Sequence, residues 1–183
     1  MHPVRAVVPA LIVMGCASGS SPSTNTSRPT GPPSREVVTG GGALVTLASG
    51  AFVVETDIGA PAQQVWQAAA EAYGSLGIEI TFSEPGTRVG NRQFRVRRQL
   101  AGSRLSRFFR CGVDATGRPT ADRYIVTINA VTEVVEVSDL QSRLQTTVTA
   151  TARTPTGESN DRVLCTSKGL LEERIADLVL ANT

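Results

Sequence analysis

Residues 17–35, ASGSSPSTNTSRPTGPPSR, contain no large apolar side chain. A stretch of this composition cannot offset its ordering entropy by burial, so it is expected to stay disordered, as a flexible-to-extended spacer rich in Ser, Thr, Gly and Pro. Any fold is thereby confined to the residues on its C-terminal side. The chain has 183 residues, and what remains beyond residue 36 is the size of one domain. A hydrophobic content of 40% supplies apolar material for one core. The expected organisation is a removable segment over 1–15, a tether over 16–36 and a single domain over 37–183.

Ahead of the spacer, Arg5 is followed by an apolar run, Ala6 to Met14, interrupted by Pro9. The run is far shorter than the ~20 residues needed to span a bilayer, but it has the length of the apolar region of an export signal. It leads into Val13-Met14-Gly15-Cys16. This resembles the box of bacterial lipoprotein signal peptides, which is Leu, then Ala or Ser, then Gly or Ala, then Cys. Gly15 and Cys16 match; Val13 and Met14 are looser substitutes. The resemblance implies removal of residues 1–15, acylation of Cys16 and attachment of the remainder to an envelope membrane through its N-terminal acyl chains. Ordinary secretion or an unprocessed anchor is the alternative. Ala17 stands where inner-membrane lipoproteins of this type usually carry aspartate, which favours the outer membrane, facing the periplasm, over the inner.

Removal of that segment would take with it His2, the single histidine. Ser-His-Asp and Cys-His catalysis and histidine metal sites are then excluded, and no catalytic residue, metal or cofactor is expected. Two thiols besides Cys16 remain, Cys111 and Cys165. In an oxidising compartment such a pair is expected to form a disulfide; it lacks the further ligands of a metal site and the Cys-x-x-Cys spacing of a redox pair. Closing a loop of about 55 residues contributes ~4 kcal/mol by chain-entropy arithmetic.

The domain opens with Val37-Val38 and a glycine break at residues 40–42, then strands at Leu44 to Leu47 and Ala51 to Thr56. From residue 60 the period changes. Pro61 suits a first helical turn, Val65, Ala69, Ala72, Tyr73 and Leu76 fall on one face, and Gly77 stands where a helix ends. A half-buried strand is expected over Ile78 to Phe82, then a turn at Glu84-Pro85-Gly86. A strand over Arg92 to Leu100 puts Phe94, Val96 and Leu100 on one face and Arg95 and Arg97 on the other. After a loop-rich stretch over 101–122 come two long strands, one facing with Tyr124, Val126, Ile128 and Ala130, the other with Leu144, Thr146, Val148, Ala150 and Ala152. A short strand near Val163 leads to a last helix, capped by Ser167 and facing with Leu171, Ile175, Leu178 and Val179. The expected class is α+β, an antiparallel sheet with two main helices packed on one face.

That order, with Ile58-Gly59-Ala60-Pro61-Ala62-Gln63-Gln64-Val65-Trp66 entering the first helix, resembles the helix-grip domains of BamC-type envelope lipoproteins. The phrase is also similar to START-related ligand-binding domains, in which a Pro-Ala-x-x-Val-Trp segment opens a helix. The resemblance spans about residues 50–180 and assigns no site residue.

Charge is partitioned along the chain. Basic side chains are 17 Arg and one Lys, Lys168, and the formal net charge is +2. Between Arg88 and Arg123 lie ten arginines against only Asp114 and Asp122. Two readings stand: a solvated face balanced by acidic neighbours, or a surface carrying Arg95 and Arg97 toward lipid headgroups, lipopolysaccharide or an acidic protein. Nucleic acid is not an expected partner outside the cytoplasm. Elsewhere Glu133 and Glu136 fall on opposite strand faces, Glu172 and Glu173 are expected on a solvent face, and Ser167 beside Lys168 is better explained by capping than by Ser-Lys chemistry. The favoured function is a non-catalytic, lipid-anchored envelope protein that binds or scaffolds a protein or envelope component. The alternative is a carrier holding an apolar molecule between sheet and helix, with Trp66 and Tyr73 lining the cavity.

Overall fold

The structure, a computed structural model, describes residues 34–40, 43–49, 52–155 and 162–183. The segment 1–15, Cys16 and the tether as far as residue 33 lie outside the described residues. The fold is α+β, an antiparallel sheet with two main helices on one face. In chain order the elements are β1 (Ser34–Gly40), β2 (Ala43–Ser49), β3 (Phe52–Ile58), α1 (Ala62–Ser75), β4 (Phe82–Glu84), β5 (Arg88–Arg97), β6 (Gln99–Leu100), β7 (Ser103–Arg104), α2 (Leu105–Phe108), β8 (Phe109–Arg110), a 3-10 turn (Thr120–Asp122), β9 (Ile125–Ser138), β10 (Gln141–Arg153), β11 (Val163–Ser167) and α3 (Leu170–Ala181). Strands β1 and β2 pair as an antiparallel hairpin beginning at Ser34, inside the stretch expected to be tether.

Strands β9 and β10 form the centre. They pair along nearly their whole length, and their inward residues alternate: Val126, Ile128, Ala130, Thr132 and Val134 on one, Ser142, Leu144, Thr146, Val148, Ala150 and Ala152 on the other, all buried. β5 flanks β9, and β4 flanks β5. The free edge of β10 is shared: β3 takes residues 142–148 and β11 takes 150–152. β8 then pairs with the far end of β11, Phe109 opposite Ser167.

Helix α1 begins where expected. The carbonyl of Pro61 accepts from the N–H groups of Gln64 and Val65 at 3.0 and 3.1 Å. It ends in a Schellman closure, Ile78 N–H to Tyr73 O at 2.9 Å and Gly77 N–H to Gly74 O at 3.0 Å, with Gly77 at φ +69. That closure is why Ile78 to Thr81 are not the strand their alternation suggests. The Ile78 side chain is buried as the hydrophobic partner of the cap, and the Glu79 carbonyl is taken by the Asn91 side chain at 2.6 Å. Regular pairing starts only at Phe82.

Strand β5 likewise starts earlier than expected, at Arg88, and stops before Leu100. Arg98 and Ala101 adopt φ values of 69 and 47, turning the chain into the small β6–β7 ladder. Leu100, Leu105, Phe108 and Phe109 carry the loop-rich stretch into the core. The disulfide Cys111–Cys165, S–S 2.03 Å, ties this stretch to β11 beside Ala150 of β10.

Gly90 is required by close approach. A Cβ there would collide with the carbonyl oxygen of Ala130 and stand 3.0 Å from the Phe82 ring. Gly90→Ala should therefore destabilise the fold by roughly 2 kcal/mol or more, read from chemical denaturation. Replacing both Cys111 and Cys165 by Ala should lower stability by up to about 4 kcal/mol in the same measurement. Non-reducing peptide mapping of the wild type should recover the linked pair.

Candidate functional site

The site begins with an irregularity in β5. Asn91 pairs with Ala130 and Phe94 with Ile128, so Arg92 and Gln93 together face the single residue Asn129. The bulge is held by the buried Asn91 side chain, whose oxygen accepts from Gln93 N–H at 2.8 Å while its nitrogen donates to the Glu79 carbonyl. The Arg92 guanidinium carbon lies 4.8 Å from the centre of the Phe82 ring. Under strict alternation Arg92 and Arg95, three positions apart, would point to opposite faces. The extra residue brings both to one groove.

That groove, with a volume of about 330 Å³, opens on the sheet face away from the helices. Arg92, Gln93 and Arg95 line one side; Arg153, at the end of β10, and Arg162, just ahead of β11, line the other. Its floor is polar, made by Thr127, Asn129, Thr149 and Thr151. The sheet register builds it: Arg95 stands opposite Thr127, Thr127 opposite Thr151, and Thr151 opposite Leu164. One row on, Arg97 and Arg153 flank Ile125.

All four lining arginines are exposed, and among the described residues none forms an ion pair. The other end of the same face is different. Arg88 meets Glu84 at 3.1 Å and Glu133 at 3.5 Å, and Arg143 meets Asp57 at 2.7 Å. The Glu84 hydrogen bonds, more than the charge itself, raise the Arg88 pKa above its ordinary value. No described carboxylate lines the groove. Four arginines thus line a groove floored by hydroxyl and amide groups, with no described carboxylate among its lining residues.

Of the two arginines expected on this surface, Arg95 lines the groove, while Arg97 is exposed in the adjoining row. Arg92, Arg153 and Arg162 are the members that sequence reading missed. A bulge hid the first, and sheet register recruits the other two from distant positions.

Trp66 and Tyr73 are not at this groove. Tyr73 is fully buried, its hydroxyl 3.1 Å from Thr132 Oγ1, which in turn lies 3.1 Å from Thr146 Oγ1. Burial drives its phenol pKa well above the ordinary value. Trp66 is half-buried and donates its indole N–H to the Arg88 carbonyl at 3.0 Å. Tyr73 belongs to the core between α1 and the sheet, and Trp66 packs against it.

The start of α3 also differs from expectation. Gly169, at φ 80, is the N-cap residue, and Ser167 closes β11 instead. The Ser167 hydroxyl donates to Glu172 Oε1 at 2.7 Å and accepts from Gly169 N–H at 3.2 Å. Lys168 turns away, its ammonium on the Ser106 carbonyl at 2.6 Å, so serine and lysine make no catalytic pair. Glu172 is not on a solvent face: it is fully buried, whereas Glu173 is half-exposed. The reason is geometric, because 172, 175, 176 and 179 share the inward stripe of the helix. Glu172 Oε2 has no partner among the described residues. Desolvation, opposed by the Ser167 hydrogen bond, pushes its pKa from 4.5 up to about 7.

At Asp114 the balance is reversed. Hydrogen bonds from the Thr116 hydroxyl and then the Arg118 N–H hold it well below the usual carboxylate range, and Arg123 pairs with it at 2.6 Å. Glu133 is half-exposed and paired with Arg88, while Glu136 is exposed. Among the described residues no three His, Cys, Asp or Glu side chains assemble as a metal-ligand set, and no helix is long and apolar enough to cross a membrane. The chain matches no protein-family model, no curated protein and no solved structure.

Glu172 yields a pH prediction. Its folded pKa is raised, so its contribution to stability is fully present below about pH 4.5 and is lost as pH rises through about 7. Glu172→Gln keeps an acceptor for Ser167 and carries no charge. It should remove this slope and gain on the order of 3 kcal/mol over the wild type at pH 8, with little difference at pH 4. Denaturation curves across that pH range provide the check.

Proposed function

We propose that this protein is exported, acylated at Cys16 and held at an envelope membrane, where its helix-grip-like domain acts as a non-catalytic binding module. The surface it offers is the outer face of the sheet, not a cavity beneath α1. The observation that carries this reading is the contrast between the two faces. Beneath the helices Tyr73 is buried and its hydroxyl is satisfied by Thr132. On the other face, exposed arginines without described acidic partners gather around a groove.

Gly15-Cys16 ahead of a spacer without large apolar side chains suits a tethered domain. The Cys111–Cys165 disulfide suits an oxidising compartment. The one serine weighed as a nucleophile, Ser167, is buried and engaged by Glu172. Lipid attachment also confines the domain near a surface, which raises the effective concentration for any membrane-borne partner without new contacts.

The test is fractionation of the full chain and its Cys16→Ser variant. The wild type should appear in the detergent phase as an acylated form lacking residues 1–15. The variant should stay unprocessed or move to the aqueous phase. Identical processing and partition of the two would overturn the tethered reading.

A further inference from the structure

We infer that the outer-face groove is a binding site for a phosphate-bearing anion carrying at least two negative charges. The inference deepens the reading of the outer face as the binding surface and rests on it, but it does not need the tether. Arg92 and Arg95 approach from β5, Arg153 from the end of β10 and Arg162 from the approach to β11. They surround hydroxyls of Thr127, Thr149 and Thr151 and the amide of Asn129.

Three features select phosphate over an indifferent counter-ion. The cations are all arginines, whose planar donor forks match phosphate oxygens in pairs, whereas a lysine ammonium is a point charge. The floor supplies hydroxyl and amide donors that complete an oxyanion's shell between the forks. The third feature is the grouping itself: four arginines line one cavity, whereas Arg88, Arg123 and Arg143 each have a carboxylate partner within 4 Å and the exposed Arg107 and Arg174 lie outside it. At the groove, on the same sheet, that neutralisation is missing among the described residues.

Multivalency follows from the layout. Two arginines stand on each side of a cavity of about 330 Å³, at the lower end of volumes that take small ligands. A single phosphate would satisfy one side and leave the other unneutralised. A pyrophosphate, or a phosphorylated headgroup with a second anionic group, spans both. Leu164 adds a small apolar wall beside the polar floor.

The source of the phosphate is either a membrane headgroup or a soluble phosphate compound, and two probes separate them. The purified full chain, in neutral detergent micelles, is titrated calorimetrically with inorganic pyrophosphate and, separately, with soluble short-chain phosphatidylinositol 4-phosphate, whose headgroup carries two phosphates. Short-chain phosphatidylcholine serves as the zwitterionic control. Pyrophosphate should bind, and binding should weaken steeply with added salt. Binding of phosphatidylinositol 4-phosphate as well points to the headgroup source, and binding of pyrophosphate alone points to the soluble one.

The Arg95→Ala/Arg153→Ala variant removes one fork from each side and should bind at least roughly tenfold more weakly. Arg95→Lys/Arg153→Lys keeps charge but not the forks and should recover only part of that loss. Arg107→Ala/Arg174→Ala, also exposed arginines but outside the groove, should bind as the wild type does. Circular dichroism and melting curves on each variant establish that the fold is retained. If pyrophosphate fails to bind at millimolar concentration, or the groove and control variants lose affinity equally, the inference is overturned. Fractionation of the Cys16→Ser variant is unaffected by that result, so the tethered reading and the phosphate site fail separately.

Discussion

The pairing of β9 with β10 is the constraint on which the rest depends. These strands are the longest in the domain, and along their paired length one face is buried and largely apolar while the other, polar around Thr127, Asn129, Thr149 and Thr151, is half-buried or exposed. The apolar face demands cover, and α1 and α3 supply it while packing against each other. The other face is left open. Every other strand of the main sheet adds to an edge of this pair, directly or through a neighbour, and inherits its two faces.

Local patterns that agree with this division were legible in the sequence. The 3.6 spacing of Val65, Ala69, Ala72 and Tyr73, with Gly77 after it, defined α1 to within two residues. The alternation of Val126, Ile128 and Ala130, and of Leu144, Val148 and Ala152, defined the central pair. With two cysteines left after Cys16, their pairing came from counting. What misled was local pattern overruled by neighbours. Ile78 to Phe82 alternates like a strand, but the helix cap and the Asn91 amide claim its first half. At Glu172 the error was the reverse, because the helical spacing placed it inward and its charge argued otherwise. The surrounding core reconciles the two by keeping the carboxyl protonated more readily than an exposed one, while the Ser167 hydroxyl, which opposes that shift, satisfies one of its oxygens.

The groove was legible only in part, for a physical reason. A strand's alternation says that Arg95 and Arg97 point away from Phe94 and Val96, and it says so correctly. It does not say which strands lie alongside. Arg153 and Arg162 become neighbours of Arg95 only through the sheet register, which the sequence does not spell out. Arg92 joins them because one residue too many in β5 reverses its side. No short-range signal marks that bulge apart from Asn91, whose amide both accepts from and donates to the main chain around it.

The divided edge of β10 bears on the order of assembly. β9 and β10 are joined by a tight turn, so they can zip as soon as both exist, with little loop entropy to overcome. β3 reaches the same edge from across most of the domain's sequence, and β11 arrives from the opposite direction, each occupying its own length of β10. High contact order slows such closures. The chain's first core strand must therefore wait, unpaired, until nearly all of the domain has emerged. During that interval its apolar face is available to whatever chaperone escorts it.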